Sequence, residues 1–163
     1  GGHTEFVRVD PRLAYTMVGK TRDDAAGEAV DKCGKILGLG YPAGPLVAKL
    51  AVTGKRDFVA LPRALDQRDN FEFSFSGLKT AVLRYAEARD AETLRNQLPH
   101  ICASLESAIV EVLVKKSVLA LESADLDTVA VVGGVSANGH LRERMADEAA
   151  KRGFRAIFPS AKF

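Results

Sequence analysis

Apolar positions along the chain repeat with two periods, and the switches between them predict the elements. His3–Asp10 alternates, with Phe6 and Arg8 on one face and Val7 and Val9 on the other, so a strand is expected. Pro11 turns the chain, and Ala14–Thr21 returns as a second strand across a loop longer than two residues. Arg22–Gly40 reads as a helix with Ala26, Val30, Cys33 and Leu37 as its apolar stripe. Asp23 or Asp24 is its expected cap and Gly38 or Gly40 its expected stop. Gly38–Pro45 is rich in breakers, and a short helix follows over Gly44–Gly54. Lys55–Asn70 is polar and weakly patterned, which predicts a long loop. Phe71, Phe73 and Phe75 alternate before the pattern passes through Ser76 and Gly77 into a helix carrying Leu78, Val82 and Tyr85. The longest helical pattern spans Ala91–Ser123. Its buried stripe is Leu98, Ile101, Leu105, Ala108 and Val112, with Pro99 near the start of the main run. Thr128–Gly134 is a continuous apolar run, the kind buried on both faces. A helix over His140–Gly153 and a strand at Phe154–Phe158 follow, so the end reads strand–helix–strand with a parallel pair.

Composition adds little direction. The chain has 163 residues, 47% of them hydrophobic and 27% charged, with a net charge of +2. That fits one globular domain with a real core and gives no basic signature for nucleic acid. Cys33 and Cys102 stand outside any CxxC pattern and read as free, packed thiols of a reducing cytoplasm. No apolar run is long enough to span a bilayer, so no membrane partner is expected. The chain opens on Gly1-Gly2 directly before a strand and stops after an apolar strand pattern. Both ends predict a piece of a longer protein.

Chemistry-bearing candidates fall in three places. Gly133 and Gly134 lie where a strand hands over to a helix, so a flat ligand or a phosphate can approach the backbone closely. Ser136 and Asn138 sit at that helix start, where they either cap it or point hydroxyl and amide groups at a ligand. A plain strand–helix turn fits the same residues. Asp24, Glu28 and Asp31 form an acidic line on a helix thinned by Gly27. Such carboxylates can accept hydrogen bonds from ribose hydroxyls, or pair with Lys32 and Lys35 on a solvated face. The Ser74–Lys79 stretch is neither a phosphate-binding P-loop nor a nucleophile elbow. It reads as a strand-to-helix turn capped by Ser76, or as a contact loop. His3, His100 and His140 make no metal-ligand pair. His3 could approach a ligand at the opening glycines, His100 would be packed or partly exposed, and His140 falls on the first turn of its helix.

Five segments in order resemble one family: "GGHT" at Gly1–Thr4, "DDAAGEAVDK" at Asp23–Lys32, "GLGYPAGP" at Gly38–Pro45, "FSFSGLKTAV" at Phe73–Val82 and "GGVSANGHLR" at Gly133–Arg142. The chain resembles the TsaD (Gcp) family, tRNA N6-adenosine threonylcarbamoyltransferases, over nearly its whole length. The resemblance implies an α/β fold, a single incomplete lobe of the two-lobe actin-like ATPase (ASKHA, ribonuclease-H-like) architecture with added helices, over residues 1–163. It implies transfer of a threonylcarbamoyl group from threonylcarbamoyl-adenylate to N6 of adenosine-37 in tRNAs reading ANN codons. The ligand would be that adenylate, or ATP or ADP. Gly1 and Gly2 would line its phosphate and carbamoyl end, Asp31 its ribose, Gly44 the nucleoside and Asn138 the adenine side. His3, Glu28, Gly133, Gly134 and Ser136 are secondary candidates. Partners implied are tRNA, TsaB-like and TsaE-like proteins and a TsaC-like enzyme that supplies the adenylate. A non-catalytic TsaB-like subunit, the family's older label of glycoprotein metalloendopeptidase and a sugar-kinase-like ATPase are the alternatives.

Two departures bear on activity. The family uses Fe or Zn, held by an HxxxH motif upstream of the segment matching Gly1–Thr4 and by an aspartate downstream of Phe163, so no metal ligands are expected within this sequence. Ala43 stands where the family has a second glycine, which places a methyl group beside the expected ligand. The purified chain is therefore expected to show neither stoichiometric iron or zinc by elemental analysis nor tRNA modification in a transfer assay; turnover with bound metal would overturn this.

Overall fold

The computed structural model describes residues 2–65 and 70–160 and shows a mixed α/β chain. Strands β1 (Glu5–Val9) and β2 (Tyr15–Lys20) form an antiparallel hairpin with an irregularity between Phe6 and Val7. Helices α1 (Ala26–Ile36), α2 (Gly44–Ala51), α3 (Ser76–Glu87) and α4 (Ala91–Ala124) follow. Strand β3 (Thr128–Ala130), a short 3-10 turn at Gly134–Ala137, helix α5 (Gly139–Arg152) and strand β4 (Arg155–Ile157) complete it, with β3 and β4 parallel.

Helix α4 is the axis. From Ile101 to Val110 every residue is buried, Ser104, Glu106 and Ser107 included, and the helix packs against α2, α5 and β3. One core joins α1, α2, α3 and the first half of α4 through Cys33, Val47, Phe73, Phe75, Val82, Ile101 and Leu105. A second gathers Val110 and Val114 with Leu141 and Met145, and Leu113 and Val135 pack against both. Helix α4 continues through Pro99 as one element. Proline removes one N–H from the ladder, and the helix is held by tertiary contacts instead. The carbonyl of Pro99 lies 2.0 Å from where a Cβ on Gly54 would sit, so only glycine lets the end of α2 approach so closely.

Several local expectations shift. Phe71–Phe75 forms no strand of its own; only Phe73 pairs, as a parallel bridge to Thr21, with its N–H on the Lys20 carbonyl at 3.1 Å. Phe73 and Phe75 still point inward at 1% exposure each, and the Phe6 ring packs on Phe73 at 4.9 Å, tilted by 42°. The run at β3 is not buried on both faces. Val129 and Val131 pack inward, but Val132 is 74% exposed, because α4 and α5 cover a single face of this two-stranded sheet. The Lys55–Asn70 segment, described through Leu65 and again at Asn70, has no regular element but is tied to α4. Val59 N–H donates to Ser104 Oγ at 3.0 Å, Lys55 N–H to His100 Nδ1 at 3.0 Å, and Val59 and Leu61 are buried. Val30 and Leu98 are half-buried, and Ala29 and Gly34 join the inner face of α1 instead.

Capping is the largest correction. Neither Asp23 nor Asp24 caps α1. The first turn of α1 is closed by Thr4 Oγ1, which accepts the Ala26 N–H at 2.9 Å, and by Glu28, which accepts that of Ala25 at 3.4 Å. Asp24 pairs with Lys32. Asp23 caps α3 instead, 52 residues away: its Oδ1 accepts the N–H groups of Phe75 (2.8 Å) and Ser76 (3.2 Å), and its Oδ2 accepts the Ser74 and Ser76 hydroxyls. Ser76 is thus a capped residue, not the cap. The stop of α1 is as expected. Gly38 takes φ +75° after Leu37, with Leu39 N–H on the Gly34 carbonyl and Gly38 N–H on that of Lys35.

Partial burial would push the Asp23 carboxyl up, but the hydrogen bonds from Ser74, Phe75 and Ser76 outweigh it and hold the group below its ordinary 3.8. Its contribution is therefore complete above that value and is lost as pH falls through the depressed folded-state value. Asp23→Ala is expected to cost about 1–2 kcal/mol in denaturant unfolding at neutral pH. Asp23→Asn, which keeps the backbone bonds, loses less and flattens the acid limb of the stability profile.

Candidate functional site

The acidic line on α1 borders an open concavity. Gly27, Glu28, Asp31, Lys32, Lys35 and Tyr41 line it, with a volume of about 390 Å³. These residues share a wall because Gly27, Asp31 and Lys35 recur at helical spacing, and the Gly38–Pro45 turn folds back so that Tyr41 stands at its edge, 83% exposed. Lys32 is gripped by Asp24 and by Glu28 at 2.8 Å, hydrogen bonds that hold its ammonium up to about 12. The expected Glu28–Lys32 pair is present. Asp31 makes a different bond from the expected one to Lys35. Its Oδ1 accepts the N–H groups of Ala43 at 2.8 Å and Gly44 at 3.3 Å, closing the start of α2. Both bonds fall on Oδ1, and no bond to Oδ2 occurs among the described residues.

Ala43 does not project into this space. It is fully buried, and its Cβ lies 2.2 Å from where a Cβ on Gly34 would be. The methyl fills the gap that Gly34 leaves between α1 and α2. Nothing within 4 Å would meet a Cβ on Gly44.

The second group lies at the β3–α5 turn, which α1 also touches. Gly133 adopts φ +86°, ψ 176°, a conformation open to glycine alone, and Gly133 and Gly134 are exposed. Asn138 caps α5: its Oδ1 accepts Leu141 N–H at 2.8 Å, and its Nδ2 donates to Glu106 Oε1 at 2.7 Å. Ser136 is buried, its carbonyl held by Arg142 Nε at 2.7 Å. His140 is on the first turn of α5 as expected, and its buried Nδ1 has no hydrogen-bond partner among the described residues, with Glu143 Oε2 at 3.6 Å.

The structure therefore brings Asp31, Glu28 and the N–H of Gly44 to one place and Gly133, Gly134, Ser136 and Asn138 to another. Gly2, His3, Gly44, Ser136, Asn138 and the Gly133–Gly134 pair do not line the concavity. Gly2 and His3 are exposed, and Gly1 lies outside the described residues. Sequence reading missed Tyr41 and Glu106 as neighbours of these residues; Glu106 lies 32 positions from Asn138 and gave no signal. Both cysteines are free and buried, and burial pushes each thiol up to about 12. Among the described residues no group of three or more His, Cys, Asp or Glu is placed to hold a metal, so the donors present do not fit Fe or Zn. No helix among them is long and apolar enough to cross a membrane.

The family model described as "TsaD: tRNA N6-adenosine threonylcarbamoyltransferase" matches residues 1–163. The chain belongs to the TsaD family. A tRNA N6-adenosine threonylcarbamoyltransferase of Chlorobium chlorochromatii (strain CaD3) is 47% identical over 167 residues, covering 98% of this chain and 48% of that protein. One of Ralstonia pickettii (strain 12J) is 48% identical over 166 residues, covering 100% of this chain and 48% of its own length. The chain thus spans about half the length of the curated relatives it matches.

The Gly34–Ala43 contact generates a stability test. Gly34→Ala is expected to cost about 1–3 kcal/mol in urea unfolding through overpacking. Adding Ala43→Gly should restore more than half of that loss; equal destabilisation of single and double variants would place the contact elsewhere.

Proposed function

We propose that this chain forms part of a tRNA N6-adenosine threonylcarbamoyltransferase and contributes mainly to holding the adenylate of threonylcarbamoyl-adenylate, in an actin-like ATPase lobe. The observation that carries this reading is Asp31. One oxygen is spent on the start of α2, while the residue lines an open concavity with its other oxygen unbonded. A carboxylate held so rigidly is suited to accept hydrogen bonds from a ribose diol. Tyr41 offers an exposed ring for stacking, and Lys35 offers a cation to the phosphate. The bare backbone at Gly44 would let the nucleoside come close, and Gly133–Asn138 would contact the base.

In this reading the threonylcarbamoyl group passes to N6 of adenosine-37 of tRNA in the cytoplasm. A TsaC-like enzyme supplies the adenylate, and TsaB-like and TsaE-like proteins complete the assembly. The metal that the family uses supplies Lewis-acid polarisation of the transferred group when bound.

Titration of the ¹⁵N-labelled chain with AMP and ADP at millimolar concentration tests the reading. Amide signals of Gly27, Asp31, Lys32 and Gly44 should shift together with those of the Gly133–Asn138 turn. Gly44→Ala should leave the melting temperature unchanged or slightly raised, since a Cβ there meets open space and alanine is the better helix former, while weakening nucleotide binding. Shifts confined to another surface, or full affinity in Gly44→Ala, would sink the assignment.

A further inference from the structure

Glu106 is a buried charge that the reading above leaves unused. It sits midway along α4, 7% exposed, between Leu105 and Ser107. Its Oε1 accepts the Asn138 Nδ2–H at 2.7 Å, and its Oε2 lies 3.7 Å from Nη2 of Arg56, a half-exposed side chain. A buried carboxylate is costly unless hydrogen-bonded and paired. Its shortest bond here is to the side chain at the end of the glycine turn.

We propose that Glu106 is a positioning residue that locks the Asn138 carboxamide, and with it the Gly133–Asn138 turn, in one orientation for reading an adenine-type base. The two ends of an asparagine amide are alike in shape and opposite in hydrogen bonding. One end here meets Leu141 N–H, which only donates; the other meets the carboxylate, which only accepts. A rotated amide would set oxygen against carboxylate and NH₂ against N–H. The charge-assisted bond to Glu106 adds to the bias of the helix cap in the same sense. Each end of the amide keeps one unused position, a second N–H on Nδ2 and a second lone pair on Oδ1. Their order is therefore fixed, and an adenine edge presents a donor and an acceptor in fixed order. The inference rests on the adenylate reading for its ligand, but not for the lock itself.

The experiment has a ligand-free arm and a ligand arm. In the first, solvent exchange of the Asn138 side-chain NH₂ is followed by NMR. Glu106→Leu should speed it about tenfold, the scale of one charge-assisted bond, with the melting temperature held. Glu106→Gln, which keeps an acceptor, should retain most of the protection. Asn138→Asp sets two carboxylates together and should loosen the turn amides. Glu106→Gln in that background, where glutamine donates to aspartate, should restore them, and this pair decides the matter even if Glu106→Leu does not fold. Unchanged exchange in Glu106→Leu, or no recovery in the double variant, overturns the proposal. In the second arm AMP affinity should fall about tenfold in Glu106→Leu and much less in Glu106→Gln. Affinity unchanged while exchange rises would also overturn it. If the unmodified chain binds no AMP, the adenylate reading fails, and the exchange results still decide whether Glu106 locks the turn.

Discussion

The carboxylate of Asp31 closes the start of a helix to which it does not belong, and the candidate site depends on that bond. Helix α2 begins with N–H groups that have no partner in their own helix, and Ala43 and Gly44 direct theirs to Asp31 on α1. The bond ties the start of α2 to α1 where the Ala43 methyl lies over Gly34. It also holds the Gly38–Pro45 turn so that Tyr41 edges the concavity. A variant of Asp31 therefore confounds stability with binding, whereas Gly44 separates them: its N–H is structural and its missing side chain is not.

The same device recurs along the chain. Thr4 closes α1 from the lead-in to β1, and Asp23 closes α3 from the residues before α1. Asn138 closes its own helix but is anchored on α4 through Glu106. Polar groups on the buried faces of α4 are the other half of the arrangement. Ser104 receives the Val59 N–H and Lys116 Nζ donates to the Asn70 carbonyl at 2.6 Å, so both ends of the described loop between α2 and α3 are fixed to the axis. Each is a buried polar group, tolerable because it is bonded.

These cross-chain bonds mark where sequence reading stopped. The hairpin, the α1 stop at Gly38, the helices and the parallel β3–β4 pair were legible, since each rests on periodicity or on a local turn requirement. Asp23 carries a strong local cap signal, yet its carboxylate is used by Phe75 and Ser76, because Phe73 bridges to Thr21 and brings that turn beside it. The apolar run at β3 reads as buried on both faces, but composition cannot say how many layers cover a strand, and Val132 and Ile157 stay exposed. Of the candidate site, Asp31 and Gly44 were legible through the family motifs and are joined in space, while Glu106 was invisible because its partner is set by tertiary packing.

Glycines supply the last step. A Cβ on Gly19, Gly34 or Gly54 would fall 2.2, 2.2 or 2.0 Å from a neighbouring atom, so packing alone accounts for these three. A Cβ on Gly2, Gly44 or Gly134 would meet nothing within 4 Å, and Gly133 needs glycine for its backbone angle rather than for space. The motif glycines are thus the ones that internal packing does not explain. Bare backbone over open space leaves room for close approach, at a cost in chain entropy that folding here does not recover through contacts. A ligand that approaches the backbone closely would recover it, so Gly44, unlike Asp31, is the position at which the proposed binding is tested apart from folding.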